Sequence, residues 1–127
     1  MQPDRRDAAL LWDMLQYARE AAFFVQGRTW DDYRRDRMLR AAVERVVGIV
    51  GEAASKISKD YRGGHPEVPW GTIAGQRHLL VHEYGRIDDA KIWEVATTHV
   101  PSLIGQLERL IPPLPSDPLP EPPPDEG

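Results

Sequence analysis

Arg77, His82 and Tyr84 fall within eight consecutive positions of this chain. Together they offer a guanidinium to hold a phosphate, an imidazole that titrates near neutrality and a hydroxyl, the groups that phosphodiester chemistry needs when no metal takes part. Arg77 shares a three-and-four spacing with Ile73, Leu80 and Tyr84, so a cation stands where the helical period asks for an apolar residue. Burying an unpaired guanidinium is very costly. Arg77 is therefore expected either to meet an acid of the preceding long helix, Glu52 or Glu44, or to face a wet cleft. His82 lies five residues on, about 140° around an ideal helix, whereas Tyr84 returns to the arginine's side. In one straight helix Arg77 and His82 thus diverge, and only the reach of arginine, a distortion or a second copy of the site brings the head groups together.

The other histidines are His65, His78 and His99. His65 follows a glycine pair in a connection and His99 falls off the apolar stripe of its helix. Neither has a neighbour at metal-ligand spacing, so no metal site is assigned. The chain has no cysteine, which removes disulfides, zinc ribbons and thiol nucleophiles and fits a reducing compartment.

The elements that must position these groups are helices. From Asp7, the residues Ala8, Leu11, Leu15, Ala18, Ala22 and Val25 form one stripe, with Gly27 as its stop signal. Thr29-Trp30-Asp31-Asp32 is close to a capping box and predicts the start of a second helix, roughly thirty residues or about 45 Å long, through Leu39, Val43, Val46, Val50 and Ile57. Gly48 and Gly51 inside it are expected to allow a close approach or a bend. Tyr61 to Pro69 reads as a connection. A short third helix runs from Trp70 to about Gly85, and Asp88-Asp89 opens a fourth through Trp93, Ala96, Val100, Leu103 and Leu107, interrupted by Pro101. No segment alternates with period two, so the expected fold is an all-α antiparallel four-helix-type bundle.

At 127 residues and 14.4 kDa the chain has room for one domain, and its small core would gain from oligomerisation. Charged residues at 28% and a mean hydropathy of −0.51 exclude collagen-like, transmembrane and wholly disordered classes. Residues 112–127 hold eight of the twelve prolines, four acids and no base, and are read as an acidic, extended or disordered tail outside a helical domain at 1–111. The domain then carries equal numbers of acids and bases. RNA contact must come from a local cluster rather than from net charge. The residues after Met1 give no export signal, which sets the expected location as the cytoplasm.

The spacing Arg77, four residues, His82, one residue, Tyr84 resembles the R-x4-H-x-Y motif of HepT-like ribonuclease toxins of the HEPN superfamily. Asp31-Asp32-Tyr33, Glu44-Arg45, Gly51-Glu52-Ala53-Ala54, His65-Pro66-Glu67 with Pro69-Trp70, and Ile92-Trp93 with Pro101 resemble further blocks of that family, in order, over residues 8–111. The resemblance implies a homodimer whose two motifs line one cleft, so that two arginines and two histidines surround a single RNA phosphate. It implies a metal-independent endoribonuclease without cofactors, the toxin of a type VII toxin-antitoxin pair. Its implied antitoxin is an MntA-like minimal nucleotidyltransferase that transfers AMP to Tyr84. His82 would serve as general base or acid, with Arg77 stabilising the phosphate; Glu52 and Glu83 would orient these groups or make ordinary helix contacts. His78 stands where the family usually has asparagine. A second expectation, of a different class, is a nucleotide- or nucleotidyltransferase-binding module that cuts nothing.

Overall fold

A computed structural model describes residues 3–80 and 87–111, and all of the regular structure among them is helical. Helix α1 spans Arg5–Val25, capped by the Asp4 carboxylate, which accepts from the Asp7 N–H at 2.7 Å. Gly27, at φ +73°, turns the chain out of α1 as its position after the stripe predicts. The Thr29 capping box is complete in both directions and opens α2, Trp30–Arg35.

The long second helix is a correction. Asp36 adopts an extended conformation, ends α2 and caps α3, Arg37–Lys56, by accepting from the Leu39 N–H at 3.1 Å. A short polar side chain that satisfies an orphan helical N–H competes with continuation of the helix. The unbroken rod is therefore 20 residues.

Part of the expected connection is helical too. Ser58 caps α4, Lys59–Gly64, and Asp7 of α1 reaches across to Ser58, accepting from its backbone N–H at 2.9 Å and its hydroxyl at 2.6 Å. This buried carboxylate fixes the start of α1 to the end of α3, so the two helices run antiparallel. Helix α5, Trp70–Gly75, gives way to a 3₁₀ segment at Gln76–Leu80, and the remainder of the predicted third helix, residues 81–86, lies outside the described residues. So does the tail at 112–127.

Asp88 caps α6, Asp89–Glu94, by accepting from the Lys91 N–H. A π-helical turn at Val95–His99 then leads into α7, Val100–Leu110. The wide turn sits immediately before Pro101, which has no N–H to give to the carbonyl of Thr97 and whose ring crowds it; opening the ladder by one residue accommodates both.

These segments run up, down, up, down. Arg19 pairs with Glu108, Arg40 with Asp89, and the close approaches of Gly51 to Ile73 and of Gly48 to Leu80 set α5 and its extension antiparallel to α3. The core lies between α1, α3 and α7: Leu11, Met14, Ala18, Val43, Val47, Ala54, Ile92, Ala96 and Leu107 are essentially inaccessible. Each large apolar side chain so buried contributes roughly 1.5–3 kcal/mol. At the open end of α1, Tyr33 is buried against Trp93 at 5.1 Å and Trp30 at 6.1 Å. Burial, reinforced by the charges of Glu44 and Asp89, pushes the Tyr33 hydroxyl far up, so it stays neutral.

Candidate active site

Two glycines one turn apart prepare the surface on which Arg77 lies. A Cβ at Gly51 would stand 2.8 Å from Arg77 Cγ and 3.1 Å from the Ile73 carbonyl, and one at Gly48 would stand 2.9 Å from Leu80 Cδ1. Only bare backbone lets the 3₁₀ segment settle this closely on α3. Of the two expectations for these glycines, the close approach is the one found.

The guanidinium is then held by three acceptors from two elements. Arg77 Nε donates to the Ala74 carbonyl at 3.1 Å, and Nη1 donates to Glu52 Oε2 at 2.8 Å and to Ser55 Oγ at 3.3 Å. Of the two acids expected opposite Arg77, Glu52 is the partner. Its carboxyl is held below the usual carboxylate range, first by the hydrogen bond from Arg77, which outweighs the opposing effect of desolvation, and then by the charges of Lys56 and Arg77. The arginine side chain remains 40% exposed and the Glu52 side chain 51%. This is a surface charge fixed in direction, not a buried ion pair.

Ser55 and the Ala74 carbonyl did not emerge from the sequence. Ser55 carries a signal all the same: it lies one helical turn from Glu52, on the face that Gly51 opens. His78 is exposed beside Arg77. His82, Glu83 and Tyr84 lie outside the described residues, so the structure brings Arg77 to the threshold of that segment.

The other two described histidines meet neighbours away from Arg77. The His65 ring packs, tilted by 38°, on Tyr61 at 4.5 Å and meets Glu67 at 3.1 Å, while the His65 carbonyl accepts from the Trp70 indole. His99 faces Glu94 at 3.7 Å. Among the described residues no group of three or more histidines and carboxylates is placed to hold a metal ion. A cavity of about 120 Å³ between α3, α5 and α7 is lined largely by Val47, Val50, Ile73, Val95 and Leu103. Pockets that take nucleotide-sized ligands start near 300 Å³, so this one suits no nucleotide. No described helix is long and apolar enough to cross a membrane.

Comparison with known proteins gives the class of this helical bundle. The family model for Ribonuclease HepT-like proteins matches residues 14–110, and the chain belongs to that family. Putative RNase MJ1216 of Methanocaldococcus jannaschii is 31% identical over 109 residues, 86% of this chain and 90% of its own. Probable ribonuclease HepT of Thermococcus cleftensis is 34% identical over 87 residues, 68% of this chain and 79% of its own. No solved structure matches.

Proposed function

We propose that this chain is the toxin of a toxin-antitoxin pair, a metal-independent endoribonuclease that cuts RNA through Arg77 and His82 at a cleft shared by two subunits. The observation that carries the reading is the guanidinium of Arg77, aimed by Ala74, Ser55 and Glu52, still open to solvent, and followed five residues later by His82. Family membership supports RNA as the substrate.

In the reaction, the ribose 2′-oxygen attacks phosphorus and the bond from phosphorus to the 5′-oxygen breaks. A base takes the 2′-hydroxyl proton and an acid gives one to the leaving 5′-oxygen, so the products carry a 2′,3′-cyclic phosphate and a 5′-hydroxyl. Two copies of His82, one from each protomer, supply the base and the acid. Arg77 stabilises the added negative charge on the phosphate. Its direction is set before RNA arrives, which spares the reorganisation a free side chain would need.

Tyr84 is the acceptor of AMP from a minimal nucleotidyltransferase partner. An adenylyl group there places a phosphate beside Arg77 and competes with the RNA backbone for the same guanidinium. The setting is the cytoplasm.

A second reading, a module that binds nucleotide or nucleotidyltransferase without cutting, draws on the same ion pair: a guanidinium already matched by Glu52 can serve as a fixed anchor. Purified protein incubated with end-labelled RNA in EDTA separates the two. Cleavage is expected, with a loss on the order of 10²–10⁴ in His82→Ala. Cleavage unchanged in His82→Ala would overturn the acid-base role, and RNA that is bound but left intact by the wild type would establish the second reading. Mass analysis after incubation with ATP and the partner is expected to show one adenylyl group on the Tyr84 peptide and none in Tyr84→Phe.

A further inference from the structure

Helix α3 turns one stripe toward the element that carries Arg77. Arg37, Ala41, Arg45, Gly48, Glu52 and Ser55 fall within about 80° of one another on an ideal helix. The C-terminal part of this stripe is spent on Arg77 and its segment: Gly48 admits Leu80, while Glu52 and Ser55 hold the guanidinium. The N-terminal part carries two further arginines in line with it. Arg37 and Arg45 are both exposed, and so is Ala41 between them.

Their surroundings leave these two charges unmatched. Arg34 and Arg35, just upstream, both close on Asp31, at 2.6 and 3.2 Å, and Arg40 lies 3.8 Å from Asp89. Arg45 instead has Ala41, Ala42, Gly48 and Ile49 at the three- and four-residue spacings where a helix pairs charges, and Arg37, which starts the helix, has Arg40 and Ala41. Helix α3 contains two acids. Glu52 is taken by Arg77 and Lys56, and Glu44 stands about 100° around the helix from Arg45 and about two turns from Arg37, with its charge felt at the Tyr33 hydroxyl. Among the described residues neither Arg37 nor Arg45 makes an ion pair or a side-chain hydrogen bond.

A domain with equal numbers of acids and bases attracts a polyanion only where cations are left over, and here such cations lie beside the site. At 1.5 Å per residue, Arg45 is about 10 Å and Arg37 about 22 Å along α3 from Glu52. Cations strung along a rod in this way suit an extended chain of phosphates better than one compact anion. Contacts of that kind fix the position of a strand and leave its sequence unread.

We propose that Arg37 and Arg45 bind the phosphate backbone of single-stranded RNA to one side of the bond that is cut, laying the strand along α3 toward Arg77. This path rests on the reading of Arg77 as the phosphate ligand of an endoribonuclease, and says where its substrate lies.

A 2′-O-methylated single-stranded oligonucleotide has no free 2′-hydroxyl to attack phosphorus, so its binding to the full chain can be followed without cleavage. Each phosphate contact on a single strand contributes about 0.7 to the steepness with which log affinity falls against log salt concentration. Arg37→Ala and Arg45→Ala are each expected to lower that slope by about 0.7, and the double variant by about 1.4. Arg37→Lys and Arg45→Lys should keep the wild-type slope, because the contact is one of charge. Arg109→Ala, on α7 beside Glu67, is expected to leave it unchanged. With cleavable RNA the double alanine variant should raise KM and keep kcat, the signature of binding lost equally from ground and transition states. Wild-type binding whose slope is the same in the double variant would overturn the path along α3 and leave the reading of Arg77 standing. An equal loss of slope in Arg109→Ala would overturn it too, since any surface cation would then serve. A wild type that neither binds the oligonucleotide nor cuts RNA would overturn both.

Discussion

Asp7 and Arg77 are both charges set into apolar helical faces, and the fold treats them differently. Asp7 is 3% exposed; both carboxylate oxygens are spent on Ser58, and the contact ties α1 to the cap of α4. Arg77 is anchored by three acceptors, on Ala74, Glu52 and Ser55, but leaves 40% of its side chain in solvent. Enclosure on all sides makes a charge part of the architecture. A charge held from behind and open in front can still meet a ligand, and that is what the paired glycines of α3 achieve for Arg77. The comparison predicts that altering Arg77 costs activity with little stability, and that altering Asp7 does the reverse.

The largest effect is expected at Arg77 itself. Arg77→Ala should lower RNA cleavage on the order of 10²–10³, the usual consequence of removing one preorganised stabiliser of a transition state, while the urea midpoint moves little. Arg77→Lys should recover only part of the rate, since an ammonium cannot keep the Ala74, Ser55 and Glu52 contacts in one plane. A large shift in the urea midpoint for Arg77→Ala would place Arg77 with Asp7 and break the comparison.

Next come the glycines. Gly51→Ala brings a methyl group against both Arg77 Cγ and the Ile73 backbone, and backbone cannot step aside. Gly48→Ala meets only the end of the Leu80 side chain, which can turn away. Cleavage by Gly51→Ala should therefore fall well below that of Gly48→Ala, although both replace glycine in a helix interior, where alanine is otherwise favoured by about 1 kcal/mol. Equal rates for the two variants would show that the seat beneath Arg77 does not matter.

Asp7→Ala supplies the opposite pole. It strands the Ser58 N–H and hydroxyl, so unfolding free energy should drop by about 1–3 kcal/mol in urea melts, with cleavage per folded molecule unchanged. Asp7→Asn, which keeps one acceptor, should lose less. A fall in the specific activity of Asp7→Ala would mean that the corner between α1 and α4 is felt at Arg77.

The contrast also marks what sequence can disclose. Periodicity located the stripes of α1, α3 and α7, and local chemistry located the caps at Thr29 and Asp88, because those features depend on neighbours three or four residues apart. The break at Asp36 had a local signal as well, an aspartate three residues before Leu39, but the apolar stripe continues past it and outweighs it in a reading by period. The link from Asp7 to Ser58 spans 51 positions and leaves no mark in either segment. At the site, a cation out of place on a stripe pointed to Arg77 and its spacing to His82 and Tyr84, and Glu52 was one of two acids within reach. Which of them is the partner depends on the register of α5 against α3, which Gly48 and Gly51 set through space. Ser55 is fixed by that register and by nothing nearer in the chain.

The smallest expected effect tests the anchor rather than the anchored group. Glu52→Gln keeps an oxygen that can accept from Arg77 but removes its charge, and because both side chains are exposed to solvent the cleavage rate at neutral pH should fall only a few-fold. The sharper readout is pH. The folded Glu52 carboxyl titrates below its ordinary value, chiefly through the Arg77 hydrogen bond, so its contribution is fully present above the unfolded value and is lost as pH falls through the depressed folded one. Wild-type cleavage should weaken over that acidic window as the carboxylate takes up a proton, in addition to any loss from His82. The glutamine variant has no carboxylate to protonate at position 52 and should lack this added loss, so its acid limb should be shallower than that of the wild type. Identical acid limbs in the two proteins would assign the limb to another group and leave Glu52 as an ordinary interhelix contact, bringing it closer in kind to Asp7 than to the arginine it holds.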